Sequence, residues 1–298
     1  MLNRKNIGST IFDVFNVIFL VVLSVIFLAP FIHVIMSSIS DPVTLLDYDG
    51  IVLWPKGGAT LKGYQLVFSN QNIYTGYVNT LFYVVAGTAL NLIFTTTMAY
   101  VLSRKKVMWN NVLMFIAVFT MFFSGGLIPF YLQVRNLGLY DTRFAIILPG
   151  MVNVWNLIIM RTSFSALPES LSESARIDGA GHLTVMVRIV VPLSKAVISV
   201  IALFYIVGHW NAWFNAAIFL RDRDKYPLQL ILREILIMSD LSSKTDATST
   251  AVTVQEMNYY EDLYKYCTII VATLPILLVY PFIQKYFTKG VMVGSIKG

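Results

Sequence analysis

Apolar and polar positions in this chain are laid out in long blocks, not in the short alternation of a soluble domain. Six mostly apolar stretches run at about 14–36, 78–102, 111–133, 143–164, 195–220 and 265–287. A membrane span needs about 20 such residues, so the blocks predict six transmembrane helices and an all-α membrane protein. The first block follows Arg4 and Lys5, but it is too long for a signal-peptide core and no small-x-small site follows Ala29-Pro30, so it is read as a retained span. Two polar intervals are long enough to be loops, 39–77 and 221–264. The first holds the turn signal Trp54-Pro55-Lys56-Gly57-Gly58. The second opens on Arg221-Asp222-Arg223-Asp224-Lys225-Tyr226-Pro227 and continues with a helix-period stretch from Leu228 to Met238.

Several blocks carry breaks. Ser124-Gly125-Gly126-Leu127-Ile128-Pro129 interrupts the third, Pro149-Gly150 the fourth, and Pro275 and Pro281 the last. Gly and Pro free backbone groups and bend helices. In the third block the bend suits either gating or simple packing. Asn79, Asn91 and Thr95-Thr96-Thr97 in the second block are read as helix-packing groups, since amides and hydroxyls in lipid seek a neighbouring helix or their own backbone.

Composition agrees with a lipid solvent. Of 298 residues, 57% are hydrophobic and 13% charged, against about 25% charged in soluble domains, and the mean hydropathy is +0.69. Charge then orients the spans. With the N-terminus inside, the inner segments hold 12 of the 22 basic residues and only 4 of the 16 acids. The short loop Ser103-Arg104-Lys105-Lys106 is purely basic, and short loops carry the positive-inside rule best. Both termini are therefore expected on the cytoplasmic side, and the net charge of +6 reflects topology, not nucleic-acid binding. Cys267 is the single cysteine, so no internal disulfide is expected; His33, His182 and His209 lack ligand spacing, so no metal site is expected.

The segment 168–192 is polar and charged between two apolar blocks, so it must lie at a membrane surface. Pro168 suits the first turn of a helix, and Glu169 and Glu173 favour its positive end. Gly179 and Gly181 are expected to end that helix in left-handed geometry, with a second helix from about His182 to Val191 and Pro192 opening the fifth span. Leu171, Ala175 and Ile177 offer a small apolar patch rimmed by Glu169, Glu173, Arg176 and Asp178.

This segment resembles the coupling motif of binding-protein-dependent ABC importer permeases. The motif is Glu-Ala-Ala, a Gly after three intervening residues, an Ile after nine more, and Leu-Pro. Here Glu173, Ser174, Ala175, Gly179, Ile189, Val191 and Pro192 stand at that spacing, with Ser174 and Val191 as mild departures. The tail 282–298, Phe123-Ser124-Gly125-Gly126-Leu127-Ile128-Pro129 and Ser40-Asp41-Pro42 are similar to the carbohydrate branch, of the maltose-importer-like, lipo-oligosaccharide and alginate type.

The resemblance implies a type I ABC importer transmembrane domain over 1–298, with a cytoplasmic coupling helix. Its implied place is the bacterial cytoplasmic membrane, as a multi-pass protein. Its implied task is oligosaccharide import by alternating access. Implied partners are a second related permease, two ATPase subunits holding ATP and Mg, and an extracytoplasmic substrate-binding protein; this chain would bind no cofactor itself. ATPase coupling would fall on Glu169, Glu173, Ser174, Ala175, Asp178, Gly179, Ile189 and Pro192.

No phosphate-binding loop of the Gly-x-x-x-x-Gly-Lys-Ser/Thr kind occurs, so ATP hydrolysis is expected in separate subunits. Candidate substrate-path residues are Asn153, Trp155, Asn156, Trp210, Asn211, Trp213 and Asn215. Indoles stack on sugar faces and amides bond hydroxyls, while anchoring and packing are the plainer use of the same residues. Asn211 and Asn215, four apart, are expected on one helix face. The rival readings are an ion-coupled secondary transporter, which usually shows ionisable groups inside the membrane, a polytopic membrane enzyme, and an ABC importer for a solute that is not a sugar.

Overall fold

The computed structural model describes residues 7–105, 107–242 and 260–278. The tail 282–298, Lys106, much of 239–259 and the end of the last apolar block lie outside the described residues. The described part is helical, with no strand among its residues. It divides into two compact units, 1–71 with 232–274, and 72–231 with 275–298.

In the first unit, α1 (Ile7–Ser38) is a single helix with Pro30 inside it. Its apolar side chains from Ile11 to Phe31 stand exposed on the chain, as on a helix that meets lipid or another subunit. Its last turn is different. Ser37, Ser38 and Ser40 are fully buried. Ser38 shares a hydrogen bond of 2.8 Å with the Tyr64 hydroxyl, and Ser40 Oγ accepts from Lys56 N at 3.0 Å. The 39–60 segment is thereby folded back onto the helix end. It contains α2 (Pro42–Leu46), whose N-cap Asp41 accepts from Thr44 N. α3 (Lys62–Ser69) follows. Gly63 there lets the last helix (residues 260–278) approach closely, since a Cβ would stand 2.6 Å from Cys267 Sγ. Cys267 is buried and donates to the Ser38 carbonyl at 3.2 Å.

The second unit is built on α4 (Gln71–Ser103), an unbroken helix of 33 residues that starts earlier than the apolar pattern suggested. It contains a π turn at Tyr83–Gly87. Two further apolar blocks are sharply bent. α5 (Asn110–Phe122) and α6 (Leu127–Asn136) meet at 117°, with Gly126 at φ 85 in the break. A β-carbon is disfavoured at that angle, which suits Gly126 to the position.

The fourth block, expected as a span over 143–164, is also divided. α7 (Phe144–Ile147) is one turn, and α8 (Val154–Ser165) begins after a non-helical stretch around Pro149-Gly150. Residues 168–193 form α9 (Glu169–Ile177) and α10 (His182–Leu193); the latter turns by 87° at Ser194 into α11 (Lys195–Trp210). The fifth block ends in a second short piece, α12 (Phe214–Phe219), and α13 (Leu228–Ser242) covers the predicted helical stretch of the 221–264 loop.

The centre of this unit is a cluster of mainly apolar side chains. Ala99 and Leu102 of α4, Leu157, Met160 and Phe164 of α8, Val185 and Val190 of α10, and Ile201 of α11 are all buried together. Between lipid-solvated helices such a cluster holds by close packing, because lipid is already apolar.

Candidate functional site

The polar segment forms a rigid elbow. Pro168 is the N-cap of α9, one position before the first turn. The helix closes as a Schellman motif: Ala180 N donates to Ala175 O at 2.9 Å and Gly179 N to Arg176 O at 3.0 Å. Gly179 carries the left-handed φ of 83 that the motif needs. Gly181, expected to share that role, does not. Its φ is −72 and its carbonyl accepts from Val185 N, so it is the N-cap of α10. Arg176 and His182 are hydrogen-bonded across the break at 3.0 Å.

One face of the elbow packs inward. Ala175, Ala180 and Ile189 lie against the central cluster, and Ser172 is buried. Arg104, at the end of α4, donates Nη1 to Ser172 Oγ at 3.2 Å, with its guanidinium 4.8 Å above the Tyr100 ring. Its Nε and Nη2 are buried without a partner among the described residues. Sequence reasoning used Arg104 only as an orienting charge. Its packing against the elbow had no local signal.

The other face is open. Glu169, Glu173, Ser174, Asp178 and Pro192 are exposed. Ile177 is 87% and Leu183 71% exposed, beside half-exposed Leu171. Exposed apolar side chains rimmed by polar groups mark interaction sites where they form a contiguous patch. Glu169 also lies 3.9 Å from Lys105, a weak pair of exposed groups.

The substrate-path candidates fall into two groups. Asn153 caps α8, accepting from Asn156 N at 3.1 Å, and Asn156 is buried; Trp155 is 60% exposed. Asn153 N donates to the Tyr205 hydroxyl, which also bonds Thr95 at 2.7 Å. These residues therefore hold the break in the fourth block. Asn91 completes that task, donating Nδ2 to the carbonyls of Gly150 (2.9 Å) and Met151 (2.8 Å). Its Oδ1 accepts from His209 Nε2 at 2.7 Å. Non-helical backbone at membrane depth requires such satisfaction from protein groups. Asn91 thus meets a neighbouring helix, at His209 of α11, and in addition serves unwound backbone.

The second group sits where α11 ends. Trp210 is buried, edge-on to Tyr77 at 6.2 Å, and its Nε1 has no partner among the described residues. Trp213 is edge-on to Phe214. Asn211 and Asn215 do not share a helix face. Asn211 is the C-cap of α11 and Asn215 belongs to α12, because the helix terminates on Asn211 N to Val207 O and restarts after Trp213.

A third constellation, on the 136–142 and 221–228 loops, was not singled out from the sequence. Asp141 Oδ1 accepts from Arg221 N (3.0 Å) and Asp222 N (3.1 Å), and Lys225 Nζ reaches Asp141 O and Asp222. The amides of Asp222 and Arg221, with Lys225 beside them, hold the Asp141 carboxyl below the usual carboxylate range. α4 supports the same loop: Asn79 donates to the carbonyls of Asp224 and Tyr226, Tyr83 to that of Lys225, and Thr80 accepts from Leu228 N.

Comparison with known proteins gives the class. The sequence pattern of the binding-protein-dependent transport system inner membrane component matches residues 92–293. The chain belongs to this family: it is a membrane permease subunit of an ABC import system. Among relatives, it is 43% identical over 291 residues to Protein LplC of Bacillus subtilis, covering 98% of this chain and 96% of that one. It is 40% identical over 295 residues to the polygalacturonan/rhamnogalacturonan transport system permease protein YtcP of the same organism, covering 97% and 99%. A solved bacterial ABC transporter involved in the import of the acidic polysaccharide alginate contains a chain with TM-score 0.85 and 32% identity, covering 95% of this chain and 98% of that one.

Proposed function

We propose that this chain is the translocation subunit of an ATP-driven oligosaccharide importer. It pairs with a second related permease and with two ATPase subunits, which hold the ATP and Mg, and it receives sugar from an extracytoplasmic binding protein. Both termini and the 168–193 elbow lie on the cytoplasmic side, as the charge distribution supports. The polysaccharide relatives support the carbohydrate reading; the sugar import is theirs by name and this chain's by inference.

The observation that carries the mechanism is the elbow. Its inner face is locked into the central cluster, and its outer face presents Leu171, Ile177 and Leu183 among Glu169, Glu173 and Asp178. An ATPase seated on the outer face moves the elbow as one body, and the inner face passes that motion to α4, α8 and α11. ATP-driven closure then opens the path outward, and sugar enters from the docked binding protein. Glu169, Glu173, Ser174, Asp178 and Gly179 serve the docking, Ala175 and Ile189 hold the elbow on the bundle, and exposed Pro192 ends the coupling segment just before the bend at Ser194. The residues at the two helix breaks, Asn153, Trp155, Asn156, Trp210, Asn211, Trp213 and Asn215, are the substrate-path candidates.

Uptake of labelled oligosaccharide by membranes bearing the whole system tests this. Glu173→Lys and Gly179→Asp should abolish ATP-driven uptake while the chain stays in the membrane at normal amount. Normal uptake by both variants removes the coupling assignment. Affinity purification in mild detergent should bring down an ATPase and a second permease.

A further inference from the structure

Where α4 ends and α5 begins, a cleft of about 530 Å³ opens beside α8. Its lining includes Ser103, Lys105, Trp109, Asn111, Arg161 and Ser165, with two cations and no acid among the described residues. Asn110 builds its floor by donating to the carbonyls of Leu102 and Arg104. Arg161 is anchored by Nε to Leu102 O at 2.8 Å and still lines the cleft. Glu169 stands 3.9 Å from Lys105, a weak pair of exposed groups, and Arg161 bonds a neutral carbonyl, so the cleft keeps a net positive charge.

The surroundings are those of a lipid-water boundary. Trp109, held at φ 65, is 65% exposed and Met108 78%. α5 starts there and has no buried residue. Val112, Phe115 and Phe119, three and four apart, form one exposed stripe running from the cleft into the apolar block, and Val112 also lines the cleft.

We infer that this cleft binds the phosphate headgroup of an anionic phospholipid, whose acyl chains lie along the Val112–Phe115–Phe119 stripe. Basic pockets between membrane helices select anionic headgroups. Lys105 and Arg161 supply the charge, and Asn111 and Ser165 add neutral polar groups. A free phosphate has the same headgroup chemistry but would make no use of the stripe. The inference needs only that the chain spans a membrane; it does not depend on the solute carried.

Native mass spectrometry of the full chain, with whatever subunits purify with it, tests the site. The complex is extracted from nanodiscs of equal phosphatidylglycerol and phosphatidylcholine and progressively delipidated. Phosphatidylglycerol should be retained after phosphatidylcholine is lost, and inorganic phosphate at tens of millimolar should not displace it. Lys105→Gln, at a largely exposed side chain, should lower retention severalfold, and Phe115→Ser, on the stripe, should lower it too. Arg161→Lys, which keeps the charge, should retain more lipid than Arg161→Gln. Equal loss of both lipids, retention unchanged in Lys105→Gln and Phe115→Ser, or displacement by phosphate alone would each overturn the inference. So would binding that appears only when an ATPase subunit covers the cleft.

Discussion

One amide, that of Asn91, serves the two open carbonyls at the break in the fourth apolar block. Its Nδ2 meets two carbonyls that no helix serves, and its Oδ1 accepts from His209. A buried polar group left bare costs about 1–3 kcal/mol. Asn91→Leu should therefore lower the thermal stability of the detergent-purified protein by several degrees. Thr97→Val should leave it nearly unchanged, because exposed Thr97 bonds only its own helix, at Ile93 O. Gly87 guards the same node. A Cβ there would stand 2.4 Å from His209 Nε2, the atom that bonds Asn91. Gly87→Ala should displace His209 and lower the melting temperature in the same assay, and an unchanged melting curve would count against the node.

At the scale of elements, the elbow and the outer knot make opposite demands. In the elbow, the cost of left-handed backbone falls on Gly179 alone. An ordinary residue there costs about 1–2 kcal/mol. Gly179→Ala should weaken the coupling of ATP hydrolysis to uptake, whereas Gly181→Ala, at φ −72 with open space around it, should not. The ratio of ATP hydrolysed to solute moved separates these two.

The outer knot should be acid-labile. The Asp141 carboxyl is depressed in the folded state by the amides of Asp222 and Arg221. Its contribution is thus full above the ordinary carboxylate range and is lost as pH falls through the lowered folded value. Protection of the Arg221 and Asp222 amides against hydrogen exchange, corrected for intrinsic rate, should fall on acidification in the native protein. In Asp141→Asn it should be weaker at neutral pH and lack that pH dependence.

The whole molecule adds topology. Cys267 is buried, so it serves as a silent background for thiol labelling. A cysteine at Asp222 should react with an impermeant maleimide added outside, and one at Ser170 only after the membrane is opened. The reverse pattern would invert the proposed orientation and place the elbow away from any ATPase.

The residues themselves determined much of this. Long apolar blocks in a chain with few charges require lipid and therefore helices, since only a helix satisfies its own backbone within one segment. The Pro168, Gly179 and Pro192 spacing marked the elbow, because proline and glycine act through local backbone angles that neighbours in sequence reveal. Tertiary structure decided the rest. It set which glycine takes the left-handed cap and how sharply the third and fifth blocks bend. It also made Asn211 and Asn215 part company, and it allowed an interrupted fourth block to survive. A helix break is tolerated only where side chains distant in sequence replace the lost bonds. Asn91 reaches Gly150 and Met151, Tyr205 reaches Asn153, and His209 holds Asn91 in place, each from another helix, so no local pattern could show what they hold.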